Sequence, residues 1–158
     1  MSVRKGERTE GRLKVLGEAR NMCAYTLQIC KNEKVIPKSH RWLMTQRIVG
    51  ESLDAMVCIS RANSYPLDDI VGSFLRHIKQ IEARSHIKAL LTLIQLAYDT
   101  FGIEGRRIEH WTELATNTDK ALRAWMWSDK ERSAFFQLDM ISAASQILAR
   151  FTGSALTA

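Results

Sequence analysis

Proline is nearly absent from this chain. Pro37 and Pro66 are the only two in 158 residues, so few positions forbid a helix through a missing N–H and a ring that clashes with the preceding turn. Cysteine is scarce and odd in number: Cys23, Cys30 and Cys58 show no C-x-x-C spacing. That argues against a disulfide framework and leaves them as small core residues. No apolar run reaches the roughly 18 residues a membrane span needs, and the opening MSVRKGERTEGRLK is charged where a secretory leader would be apolar. The expected location is therefore the cytoplasm, with no membrane partner.

The motifs of catalysis are missing as well. There is no Gly-rich phosphate loop, G-x-S-x-G elbow or H-E-x-x-H. His40, His77, His86 and His110 are scattered, without Cys, Asp or Glu at zinc-ligand spacing on the same face. A di-iron bundle needs Glu-x-x-His pairs, whereas Glu109 and His110 are adjacent. Glu51 and Asp54 read as a solvated face paired with Arg47. The expectation is a non-enzymatic protein with no catalytic residues, no cofactor and no metal.

What is present is helical periodicity. Apolar residues make up 46% of the chain, enough for one domain with its own core. A basic arm over residues 1–8 precedes a first helix, capped by Thr9 and running to Lys31, with a stripe of Leu13, Leu16, Ala19, Met22, Cys23, Leu27 and Cys30. Pro37 ends that helix, and Ser39 offers a cap for a second that reaches Asn63 with Leu43, Val49, Leu53, Met56 and Ile59 inward. Asp68 or Asp69 caps a third over Ile70–Phe101, closed by Gly102. Its stretch from Lys88 to Tyr98 is apolar on most of its circumference, which points to burial on two sides or to an oligomer. A fourth helix spans Gly105–Trp127, with Trp111 and Trp125 in its apolar stripe and Trp127 one step off it. Ser128 to Glu131 reads as a capping box for a C-terminal amphipathic helix of residues 128–151, with Phe135, Leu138, Ile141, Leu148 and Phe151 in register and a frayed 152–158 tail. The fold class is all-α: a four-helix domain over 9–127 with an additional C-terminal helix.

Charge gives the functional lead. Lys and Arg number 23 against 17 Asp and Glu, a net +6 with a pI near 9.5, a balance that favours polyanionic partners. Lys31, Lys34, Lys38, Arg41 and Arg47, with His40, surround the turn at Pro37 against a single Glu33. Arg106 and Arg107 open the fourth helix and form a second candidate surface. These eight are the candidate nucleic-acid contacts. Trp42 beside His40 and Arg41 is open to stacking on bases.

The same residues carry a resemblance. A helix, then Lys31-Asn32-x-Lys34-x-x-Pro37-Lys38-x-x-Arg41, a helix ending Ala62-Asn63, an apolar third helix, and a fourth closing Trp125-x-x-Ser128-Asp129 is similar to the small four-helix-bundle proteins that include Avd, the accessory protein of diversity-generating retroelements, and the bundle proteins encoded in ribosomal-RNA intervening sequences. The likeness covers roughly Leu13 to Lys130; the helix after Ser128 and the longer N-terminal arm depart from it. The resemblance implies an up-down antiparallel four-helix bundle, assembled as a homo-oligomer (a pentamer in that family), which binds RNA or DNA and partners a reverse transcriptase without a catalytic centre of its own. It also implies that Lys34, Lys38 and Arg41 are contact residues. The rival expectation is a helical protein-interaction scaffold with no nucleic-acid affinity.

Overall fold

The computed structural model describes the backbone of residues 5–137 and 140–153, and the side chains of these apart from residues 5–13, 41, 137, 140, 141, 143 and 151–153. The readings made on Leu13, the Arg41 side chain, Leu138, Ile141 and Phe151 lie outside the described residues. Within them the chain is all-α, with no strand. Six α-helices occur in order: α1 Lys5–Lys31, α2 Gln46–Ser64, α3 Ile70–Phe101, α4 Gly105–Lys130, α5 Ala134–Gln137 and α6 Met140–Gly153. Contacts link α1 with α2, α2 with α3, α3 with α4, and α4 back to α1; α2 and α3 share the largest interface.

Local chemistry fixes the ends of α3. The Asp69 carboxylate accepts from the Gly72 N–H at 2.7 Å, satisfying one of the first-turn donors. At the other end Gly102 sits at φ +60°, and its N–H donates to the Tyr98 carbonyl, the left-handed stop that glycine reaches without steric cost. α1 opens at Lys5, ahead of Thr9. The stretch after Ser39 departs further from expectation. A 3-10 turn at Lys38–His40 leads into a π-helical turn at Arg41–Thr45, and α2 starts only at Gln46, with no side-chain cap. A π turn adds a residue to the helical circuit and so rotates the residues on its N-terminal side relative to those of α2. Leu43 is thereby thrown out of the stripe and is 74% exposed. The buried face of α2 begins at Ile48 and continues through Ser52, Ala55, Ile59 and Ala62, while Val49, Leu53 and Met56 flank it.

In α1 the seam is Val15, Ala19, Met22, Thr26 and Ile29 together with Cys23 and Cys30, and Leu27 turns outward. Trp111 from α4 is fully buried. Its indole Nε1 donates to Thr26 Oγ1 at 2.9 Å, and Thr26 in turn donates to the Met22 carbonyl at 2.8 Å. Burying that indole is favourable because its one polar atom keeps a partner. Trp125 is also buried, whereas Trp42 and Trp127 are exposed.

α3 changes character along its length. Its second half buries Ile87, Leu90, Ile94 and Ala97; its first half buries Gly72, Ser73, Arg76, Gln80 and Ala83, and Ile81 and Tyr98 are exposed. The buried polar half answers Asp129. Ser128–Glu131 is not a capping box but the end of α4: Asp129 lies within the helix, 4% exposed, and accepts from Arg76 Nε at 2.6 Å, Gln80 Nε2 at 2.7 Å and Arg132 Nη2 at 2.9 Å. The segment beyond is not one continuous helix either, since α4 gives way to a break at residues 131–133, then α5 and α6. Phe135 packs on Phe74, with ring centroids 5.1 Å apart. In α6, Leu148 is 64% exposed, so the expected inward seam does not extend that far.

The packing is testable at two places. A Cβ on Gly72 would stand 2.6 Å from Pro66 Cγ and 3.1 Å from its carbonyl oxygen, so Gly72→Ala must displace the Pro66 loop. We expect a loss of about 1–3 kcal/mol, read as a lower midpoint in denaturant; an unchanged midpoint contradicts the close approach. All three cysteines are free and buried, and burial pushes the Cys30 thiol up to about 12, so at neutral pH the nucleophilic thiolate is scarce. Iodoacetamide should leave the native protein unmodified and add three carbamidomethyl groups after denaturation, as read by intact mass. An adduct on the native chain contradicts this packing.

Candidate nucleic-acid interface

The connection between α1 and α2 is short of regular structure but well anchored. The Asn32 carbonyl accepts from the N–H groups of Val35 and Ile36, and Asn32 Oδ1 accepts from the Lys34 N–H at 3.0 Å. This turn drives Val35 and Ile36 into the core, where they are 5% and 0% exposed. With those two anchored, Lys34 and Lys38 are left exposed. The His40 ring meets Phe101, the last residue of α3, edge-on at 5.3 Å. Tyr25 of α1 meets His110 of α4 at 4.7 Å. One end of the molecule therefore gathers the close of α1, the Pro37 connection, the close of α3 and the start of α4.

That geometry brings together residues far apart in the chain. Lys31, Lys34 and Lys38 share this end with Arg106 and Arg107, two groups that the sequence left as separate surfaces. Lys34 and Arg106 are exposed, and neither has an ion-pair partner among the described residues. Lys38 Nζ lies 3.3 Å from Glu33, and Arg107 Nε 3.1 Å from Glu104. Both pairs are on the surface, where such contacts contribute about 0–1 kcal/mol and are readily exchanged.

The structure places the remaining candidates differently. His40 is committed to its neighbours, since Nδ1 shares a hydrogen bond with Ser39 Oγ at 3.0 Å and the ring packs on Phe101. Arg41 opens the π-helical turn. Arg47 reaches forward along α2 to Glu51 at 3.1 Å. Glu51 does not belong to a solvated face as expected: it is 7% exposed and also contacts His86 Nδ1 of α3 at 2.8 Å. Arg47 is thus one side of a partly buried junction between α2 and α3, and its charge is countered within the protein.

Sequence reasoning put Leu43 inward, yet it stands beside Trp42 in the π-helical turn; the two are 74% and 78% exposed. Adjacent in sequence, they form a small exposed apolar patch, the kind of feature that marks a contact surface where single exposed residues do not. The cue available was the run Arg41-Trp42-Leu43-Met44 shortly after Pro37, but only the π turn shows which side of it faces outward. Among the described residues, no three His, Cys, Asp or Glu side chains converge to hold a metal ion, and no helix is long and apolar enough to cross a membrane.

No protein-family model matches the chain, and no characterised protein or solved structure matches it.

Proposed function

We propose that this protein is a non-catalytic nucleic-acid-binding accessory factor, built as an up-down antiparallel four-helix bundle with additional C-terminal helices and acting beside a reverse transcriptase. In support of the topology, the cross-helix pairs run in opposite senses along the chain. Glu51 meets His86 and Cys58 meets Glu82 between α2 and α3; Arg84 meets Asp119 and Gln80 meets Asp129 between α3 and α4.

One observation carries the functional reading. Cationic side chains from two distant segments, Lys31 to Lys38 and Arg106 to Arg107, meet at one end of the helices, with Lys34 and Arg106 lacking a counter-ion among the described residues. Lysine and arginine in such an arrangement contact phosphates and position a strand without reading its sequence. Exposed Trp42, in the turn that follows Lys38, supplies a face on which a base stacks. Homo-oligomerisation and partnership with a reverse transcriptase rest on the resemblance of the Lys31–Arg41 and Trp125–Asp129 motifs to the Avd-like bundle family.

A second reading has its own observation. The bare Trp42–Leu43 pair, with Leu27 46% exposed on α1, fits a scaffold that docks a protein. Recovery of a protein partner after nuclease treatment, with no affinity for nucleic acid, would select it.

The test is a titration of labelled single-stranded RNA and duplex DNA across a range of salt. Neutralising two to five phosphates gives a log–log slope of about −2 to −4.5 on the duplex and a shallower one on single strands. The triple variant K34E/K38E/R106E should lose binding while retaining its helical circular-dichroism spectrum. Absence of binding at low salt, or binding indifferent to salt or to the triple substitution, overturns the reading.

A further inference from the structure

The opposite end of the helices holds a second concentration of positive charge, and this one is concave. A cleft of about 650 Å³ opens between α1, the α2–α3 connection and the second half of α4. That is within the range of roughly 300–1,000 Å³ typical of small-molecule sites. Four cations line it: Lys14 from α1, Arg76 from α3, Lys120 from α4, and Arg132 just beyond α4. None of its described lining residues is acidic. These four are separated by up to 118 positions in sequence, so only the fold assembles them.

The charges are held in two layers. At the floor, Arg76 is 6% exposed; Nε bonds Asp129, Nη1 bonds the Tyr65 carbonyl at 3.1 Å, and Cζ lies 4.8 Å from the centre of the Trp125 ring. Arg132 is fixed beside it, with Nη2 on Asp129 and Nε on the Ser128 carbonyl. Asp129 therefore serves two guanidinium groups from behind the cleft wall and leaves a net positive floor. At the rim, Lys14 and Lys120 are exposed and have no ion-pair partner among the described residues. Two lysines that face a shared cavity above two arginines repel each other, and an anion entering between them removes that repulsion. The remaining wall is of a different kind: Tyr65, Pro66, Leu67, Ala121 and Ala124 present a ring and apolar surface next to the hydroxyls of Ser64 and Ser128.

We propose that this cleft binds a phosphorylated nucleoside, the phosphates between Lys14 and Lys120 above the Arg76–Arg132 floor, and the base against the Tyr65–Pro66–Ala121 wall. The assignment joins the two halves of the lining, since phosphate takes charge-assisted hydrogen bonds from lysine and arginine while a planar ring buries apolar area. It stands independently of the nucleic-acid surface, which lies at the other end of the helices.

Isothermal titration of the full chain with ADP at low ionic strength tests it, with pyrophosphate and adenosine as the separated halves of the ligand. ADP should bind at one site per chain and more tightly than either half. Because Lys14 and Lys120 are exposed, K14E/K120E should keep the wild-type circular-dichroism spectrum and unfolding midpoint, yet weaken ADP by about a hundredfold or more, as expected for losing two charged hydrogen bonds. K34E/K38E/R106E should leave ADP affinity unchanged. Four results overturn the proposal: no binding of ADP to the wild type, equal affinity in K14E/K120E, loss of ADP binding in K34E/K38E/R106E, or pyrophosphate binding as tightly as ADP.

Discussion

The buried ion pair between Arg76 and Asp129 is the interaction on which the rest of the architecture turns. Both side chains are more than nine-tenths buried, so each charge needs a counter-ion, and for Arg76 that counter-ion is Asp129. Around them the fold supplies the remaining partners: Gln80 from the next turn of α3, Arg132 from beyond α4, and the Tyr65 carbonyl from the α2–α3 connection. Three segments are thereby held in one register. The half of α3 that could not provide an apolar seam packs through this network, and the loop carrying Pro66 is drawn against Gly72.

Separate ion pairs sort the rest of the molecule's charge. A net +6 does not cover the surface evenly. Arg84 and Arg123 both reach Asp119, Arg47 is countered by Glu51, Lys79 by Glu82 and Arg150 by Asp69. Of the cations without an ion pair among the described residues, Lys34 and Arg106 lie at one end of the helices and Lys14 and Lys120 line the cleft at the other. Charge exposed on a surface suits an extended polyanion that crosses it; charge lining a cleft suits a small anion that fits inside it. On the two readings proposed above, one helical scaffold presents two different kinds of anion site, one at each end.

Much of the fold was legible in the sequence where a single local rule decided the matter. Asp69 and Gly102 mark the two ends of α3 because capping chemistry and the left-handed conformation are local requirements. Trp111 and Trp125 fell inside by periodicity, and the three cysteines were rightly taken as buried. The failures arose where distant partners overrode the local pattern. Asp129 looked like part of a cap because its ligands, Arg76 and Gln80, are 53 and 49 positions away. A periodic cue does exist, since stepping back from Ile87 by helical intervals reaches Ala83, Gln80, Arg76 and Ser73, but most of those residues are polar and do not read as a core stripe. The π turn at Arg41–Thr45 had no such cue, and it is what exposed Leu43. Of the candidate surface, the cluster near Pro37 was visible as a run, but its union with Arg106 and Arg107 depends on tertiary packing, and nothing in the chain links Lys14 with Lys120.

The measurement that most directly tests this account is a double-mutant cycle on the central pair, with Arg76→Met, Asp129→Leu and both together, each unfolded in denaturant. Asp129→Leu strips the buried Arg76 guanidinium of its carboxylate and should cost about 3–5 kcal/mol, and Arg76→Met, which leaves Asp129 on Arg132 and Gln80, somewhat less. The double variant removes both charges from the interior and should be far less destabilised than the sum of the two. If the single losses are small, or if they simply add in the double variant, Arg76 and Asp129 do not depend on each other, and they cannot be what holds α3, α4 and the Pro66 loop in register.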